Sequence, residues 1–243
     1  MRSCLILGSD ADDEGVAAAL GSGADALLFR LGPCVEGDAR RRARERACAL
    51  IGAARAKAGA PKLFIEVAPV GNALIEADLD ALFGPGPDGV FLPSCDGAAG
   101  LQRLAVKLAV REAQAGVSDG ATRIGAFAGG DPAGVLALPS TAGASPRLTA
   151  LAFDEAGLRA ALGLREPSGA AVAFARAAVV LAAAAGGVAA LAPAVPVGEE
   201  AAYAAAGRAD GFTGAIAVQP AQIGSIHEMF PAAENRQRAR SSA

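Results

Sequence analysis

The run Arg123-Ile124-Gly125-Ala126-Phe127-Ala128-Gly129-Gly130-Asp131-Pro132-Ala133-Gly134-Val135-Leu136-Ala137-Leu138 decides the fold. Arg123 to Phe127 is short, apolar and bounded by glycines, which predicts a buried strand. Asp131-Pro132 then supplies an N-cap and a proline for the first helical position, so a helix is expected over Pro132 to Leu138. The same order of apolar strand, turn and Ala-rich helix recurs on both sides. Strands are expected at Cys4 to Leu7, Ala26 to Leu31, Leu63 to Val67, Gly89 to Leu92, Leu148 to Phe153, Val188 to Ala192 and Ala215 to Val218. Helices are expected at Ala11 to Leu20, Ala39 to Lys57, Glu76 to Phe83, Ala98 to Ala115, Glu155 to Leu162 with Gly169 to Ala185, Glu199 to Ala206 and Ala221 to Phe230. Eight β-α units predict an α/β fold, a (β/α)8 TIM barrel, as one domain over residues 1–234 with an exposed tail at 235–243. A doubly wound open sheet competes, but it places a Gly-rich phosphate turn after its first strand, and Leu7-Gly8-Ser9-Asp10 offers one glycine.

The chain has 243 residues, 53% hydrophobic and 19% charged, which excludes disorder and leaves ample material for a core. Its 22 Lys plus Arg against 25 Asp plus Glu leave a net charge of −3, so no overall basic field draws in nucleic acid. Cys4, Cys34, Cys48 and Cys95 form no Cys-x-x-Cys pair, and the chain opens on a strand without a signal-peptide pattern. A cytoplasmic protein with free thiols is expected. The charge-free stretch Ala177 to Gly198 is broken by Gly186, Gly187, Pro193 and Pro196, so it reads as a buried helix and strand and not as a membrane span. A single histidine, His227, leaves little room for His-rich metal sites or His-based triads.

Several segments are similar to the citrate lyase beta subunit group of the HpcH/HpaI aldolase superfamily, through nearly the whole chain. They are Leu20-Gly21-Ser22-Gly23-Ala24-Asp25-Ala26-Leu27-Leu28, Glu76-Ala77-Asp78-Leu79, Asp88-Gly89-Val90-Phe91-Leu92-Pro93 and, most specific, Gly211-Phe212-Thr213-Gly214-Ala215-Ile216-Ala217-Val218-Gln219-Pro220-Ala221-Gln222-Ile223. The last resembles the family's Gly-Phe-Asp-Gly-Lys-x-x-Ile-His-Pro-x-Gln-Ile signature. The resemblance implies a barrel that makes or breaks carbon–carbon bonds in oxo acids or acyl-CoA esters, with Mg²⁺ and an arginine stabilising an enolate. It also implies an oligomer.

Against that pattern the site residues differ. The family's Leu-Asp-Leu-Glu-Asp matches Phe29-Arg30-Leu31-Gly32-Pro33, and its Arg-Val-Asn matches Glu66-Val67-Ala68. Its Pro-Lys becomes Pro93-Ser94. Its metal glutamate falls in Ala126-Phe127-Ala128-Gly129-Gly130, and its Phe-Gly-x-Glu-Asp falls on Phe153-Asp154-Glu155-Ala156-Gly157. The signature histidine is Gln219.

Arg30, Glu66 and Ser94 are therefore the catalytic candidates, and Arg30, Cys95 and Gln219 the substrate-binding ones. Arg30 and Glu66, at matching strand ends, are expected to form an ion pair, with unrelated solvated charges or a ligand-binding role as the alternatives. Asp131, Asp154 and Glu155 are weak metal candidates that equally suit helix caps and first-turn positions. Cys95 follows the fourth strand, where a nucleophilic thiol would need a base, and packing is the simpler role. His227 is expected on the face of the last helix as a surface or interface residue. Arg40-Arg41-Arg42-Ala43-Arg44-Glu45-Arg46 reads as a solvated outer helix face, with phosphate or CoA binding as the alternative.

The expected function is a non-catalytic binding or partner subunit with the family's barrel and no cofactor. The alternative is an active carbon–carbon lyase using Mg²⁺ at a site rebuilt from Asp131, Asp154, Glu155, Ser94 and Arg30. A homo-oligomer is expected, with a partner subunit or a small acidic or CoA ligand, and neither nucleic acid nor membrane.

Overall fold

The computed structural model describes residues 1–32, 37–55, 59–83, 86–165 and 169–231. Eight parallel strands close into one barrel in chain order: β1 (Ser3–Leu7), β2 (Ala26–Arg30), β3 (Lys62–Glu66), β4 (Gly89–Cys95), β5 (Arg123–Ala128), β6 (Leu148–Phe153), β7 (Ala189–Ala194) and β8 (Gly214–Ala217). Closure is made by β8 on β1, with Ser3 opposite Ala215 and Leu5 opposite Ala217. The helices are α1 (Asp13–Gly21), α2 (Asp38–Arg55), α3 (Leu74–Leu82), α4 (Ala98–Gln114), α5 (Pro132–Ala137), α6 (Glu155–Ala161), α7 (Ala170–Ala185), α8 (Glu200–Ala209) and α9 (Gln222–Met229). A 3₁₀ turn over Leu138–Thr141 follows α5.

Strand alternation sorts the core into two parts. Inside the barrel lie Cys4, Ala26, Leu28, Phe64, Phe91, Phe127, Ala150, Ala152, Leu191 and Ile216, while a second cluster lies between sheet and helices. The interior is asymmetric. Phe64, Phe91 and Phe127 climb from β3 through β4 to β5, with ring centroids 6.1 Å and 4.9 Å apart. Each of the first two rings fills the space left by a glycine on the next strand: a Cβ on Gly89 would lie 2.5 Å from Phe64, and one on Gly125 would lie 2.1 Å from Phe91. The two glycines are thus fixed by packing. The ladder carries an aromatic face up to the C-terminal mouth, where Phe127 ends it.

Three aspartates start helices by accepting a backbone N–H: Asp12 from Gly15, Asp131 from Gly134 and Asp154 from Gly157. Among the described residues no helix is long and apolar enough to cross a membrane, and Ala177 to Gly198 divides into the second half of α7 and β7. Cys34 and the tail 235–243 lie outside the described residues, as does part of the predicted helix end at Lys57.

One reading needs correction. The arginine run of α2 is not simply a solvated face: Arg40 and Arg44 are buried, and both donate to the fully buried Asp78 of α3. Arg41 and Arg42 do face solvent. The carboxylate that draws two arginines inward comes from the next β-α unit, so no pattern within α2 announces it.

Candidate functional site

The strand C-termini converge on the mouth. Arg30 and Glu66 are paired residues in the β2–β3 ladder, so both side chains leave the sheet at the same height. Arg30 Nε donates to Glu66 Oε2 at 2.9 Å, and the guanidinium lies over the Phe127 ring, 5.1 Å from its centroid. The aromatic ladder thus ends under a cation held by an acid. Glu66 is the more enclosed partner, at 15% side-chain exposure against 44% for Arg30. Burial pushes its carboxyl above the ordinary range, attraction from Arg30 and Arg40 only partly offsets this, and the charge of Asp154 adds to the rise. Below the pair, Cys4 sits in the barrel interior, and burial pushes its thiol up to about 12 although the Arg30 charge opposes this.

Behind the pair, Asp78 organises the β3–α3 connection. Its carboxylate accepts from Arg40 Nη2 at 2.5 Å, Arg44 Nε at 2.6 Å and the backbone N–H of Ala68 at 2.8 Å. Arg40 also donates to Gly32 O beyond β2, so one buried network fixes the loops after both strands that bear the mouth pair.

The remaining candidates are dispersed. Ser94 Oγ is exposed and donates to Asp96 Oδ1 at 3.0 Å. Cys95 is 3% exposed, and burial raises its thiol above the ordinary value, so it packs in the core between sheet and helices. Gln219 is exposed, and its backbone N–H donates to Gln222 Oε1. Gln222 is the buried residue that shapes the β8–α9 turn. It accepts from Val218 and Gln219 and donates to Val195 O. His227 is at the opposite end, where its Nε2 meets Ser3 Oγ at 2.8 Å beside Asp25. It cannot serve a thiol at the mouth.

Asp131 and Asp154 accept helix-start N–H groups at 2.9 Å each. Glu155 is paired with Arg176 at 3.0 Å. Asp154 is also wedged between glycines: a Cβ on Gly130 would lie 2.6 Å from its Oδ2, and one on Gly157 would lie 2.3 Å from it. Ala128, Gly129 and Gly130 carry no donor side chain. Among the described residues no three His, Cys, Asp or Glu side chains are grouped to hold a metal ion. The donor set does not fit the family's Mg²⁺.

The profile of the HpcH/HpaI aldolase/citrate lyase family matches residues 6–220. The chain belongs to that family. The closed eight-stranded parallel barrel is the family's fold. RipC from Yersinia pestis is 25% identical, with a TM-score of 0.74 over 97% of this chain and 98% of that one. The Mycobacterium tuberculosis citrate lyase beta subunit, solved with oxaloacetate and magnesium, is 20% identical with a TM-score of 0.73, covering 95% and 97%. A Haloferax volcanii malate synthase reaches 0.77 at 16% identity, covering 100% of this chain and 80% of that one. No curated protein matches the sequence. Within this HpcH/HpaI barrel, Asp78 and Gln222 shape the mouth although neither is among the candidates named from the sequence. Both stand in segments that carry the family resemblance, Glu76 to Leu79 and Gly211 to Ile223, which is the signal that marks them.

Proposed function

We propose that this HpcH/HpaI family barrel does not perform Mg²⁺-dependent carbon–carbon cleavage and acts instead as a binding or partner subunit. One observation carries the reading: the four acids nearest the family's catalytic positions are already engaged. Glu66 holds Arg30, Asp131 and Asp154 cap helices, and Glu155 holds Arg176. A lyase site needs positive charge where the enolate develops, and here the mouth cation Arg30 is paired with the acid beside it. The surviving chemistry of the mouth is recognition. A half-exposed guanidinium over an aromatic ring suits a small carboxylate or a CoA-type phosphate that displaces Glu66.

A rebuilt lyase would require Asp131 and Asp154 to leave their caps and Glu155 to leave Arg176, which costs each helix start its satisfied N–H groups. The test is titration calorimetry with Mg²⁺, together with assays for cleavage of oxo acids and acyl-CoA esters. No heat at micromolar Mg²⁺ and no cleavage are expected. Micromolar Mg²⁺ affinity with turnover would establish the active reading.

A further inference from the structure

The N-terminal end of the barrel holds a cavity of about 540 Å³, lined from the starts of β2 through β6. That is the volume of a small-molecule site, at the end opposite the Arg30–Glu66 mouth. Its apolar lining includes the interior ring of Phe64, with Met1 and Ala121. Four charged side chains also line it, and three of them are already engaged. Asp25 accepts from Arg2 Nη2 at 3.0 Å and from the Arg2 backbone N–H at 2.6 Å. Asp88 accepts from Lys62 Nζ at 3.1 Å and from the Leu63 N–H at 2.9 Å. Arg123 is the exception: among the described residues its guanidinium makes no hydrogen bond or ion pair, and only its backbone N–H is used, on Asp88 O.

Strand geometry explains why this cation meets the cavity. Arg123 alternates with Gly125 and Phe127 along β5, and Phe127 belongs to the barrel interior, so Arg123 faces the same side. In the ladder Phe64 stands opposite Gly89, and Gly89 stands opposite Arg123. At that height β4 therefore sets no side chain between the aromatic ring and the guanidinium. We infer that this cavity is a second ligand site, which takes a small monocarboxylate with an apolar, ring-sized body on Arg123. The charges select a monoanion. Arg2 cancels Asp25 and Lys62 cancels Asp88, which leaves the single positive charge of Arg123. A guanidinium fork matches a carboxylate through two parallel hydrogen bonds. A phosphate dianion would bring a surplus negative charge toward Asp25 and Asp88, and an amine would find both acids taken. The body of the ligand packs on Phe64 and Met1. Because the site lies at the other end of the barrel from Arg30, it stands whether or not the mouth binds anions.

Titration calorimetry of the full chain with 3-phenylpropanoate tests it. Binding is expected with a Kd on the order of 0.1–1 mM. Arg123→Gln removes a charge that no other side chain relies on, so it should weaken this binding by about tenfold or more and leave the far-UV circular dichroism spectrum unchanged. Arg123→Lys keeps the charge without the fork and should fall between the two. Arg30→Ala alters only the mouth and should leave in place the component that Arg123→Gln removes. On the wild type, 2-phenylethylamine and inorganic phosphate should each bind about tenfold more weakly than the carboxylate. No binding of 3-phenylpropanoate at about 10 mM would overturn the inference. So would full binding by Arg123→Gln, binding lost in Arg30→Ala instead, or amine or phosphate held as tightly as the carboxylate.

Discussion

At the scale of single residues, Arg30 and Glu66 are unequal partners. Arg30 keeps one side to water and rests on Phe127, whereas Glu66 is enclosed at 15% exposure. Removing the acid leaves a cation that hydrates; removing the cation strands a desolvated carboxylate. Arg30→Ala should therefore cost more, about 1–3 kcal/mol, than Glu66→Ala, about 0–1 kcal/mol, with the double variant below their sum. Equal costs that add strictly in denaturant titrations would refute the pairing. The sign of the pH dependence follows from burial, which raises the Glu66 carboxyl above its unfolded value. Its contribution is full below the unfolded value and is lost as pH rises through the folded one. Arg30→Ala removes the attraction that restrains the rise, so its deficit should grow between acid and neutral pH. Glu66→Arg, although it restores the family's residue type, should yield no cleavage, because it adds no metal ligand and faces Arg30 with a like charge.

At the scale of elements, the turn from β6 into α6 sets a helix cap directly against a glycine. The resemblance to the family places an acid at Gly157, and three residues earlier Asp154 caps the helix. The two positions exclude each other, since a Cβ on Gly157 would lie 2.3 Å from Asp154 Oδ2. Gly157→Asp should therefore destabilise by about 1–3 kcal/mol. Asp154→Gly should cost only a few tenths, because glycine is a tolerable cap. The double variant should be more stable than Gly157→Asp alone. Thermal melts that place the double variant below both single ones would contradict this steric exchange. Elements were also the most legible level of the sequence. The alternation of strand and helix periods was readable because each unit writes its own pattern. Asp131 and Asp154 were readable as caps because capping is local. Asp78 with Arg40 and Arg44 was not, because that network joins two units, and β4 runs on through Pro93 to Cys95 across a register shift that no short apolar run reveals.

At the scale of the whole molecule, the two ends of the barrel carry different ion pairs. The N-terminal end is stapled by ion pairs: Arg2 with Asp25, Lys62 with Asp88, and the buried Arg147 with Glu112. The mouth end has its own buried network on Asp78, so each end is held by separate ion pairs. Burial alone would raise Glu112, but the Arg147 fork at 2.8 and 2.7 Å and the N–H groups of Thr122 and Gly120 outweigh it and bring it down to about 2. A carboxylate held below its unfolded value stabilises above that value, and the stabilisation is lost as pH falls toward the folded one, because the unfolded chain takes up the proton first. Glu112→Gln should thus cost about 3 kcal/mol at neutral pH, the low end for a broken buried pair, since Arg147 keeps Asp119. Its deficit should shrink as pH falls from about 4.5 to 2, the same direction as that of Arg30→Ala, whose deficit also grows toward neutral pH. Strands of five or six residues separate the two sites by roughly 17–20 Å, so the two substitutions should add within about 0.5 kcal/mol. Urea titrations of both variants and their combination across this pH range decide the matter. A Glu112→Gln deficit that stays constant with pH would mean the carboxylate is not the ionised partner of Arg147, and strong coupling to Arg30→Ala would mean that mouth and base are not held independently.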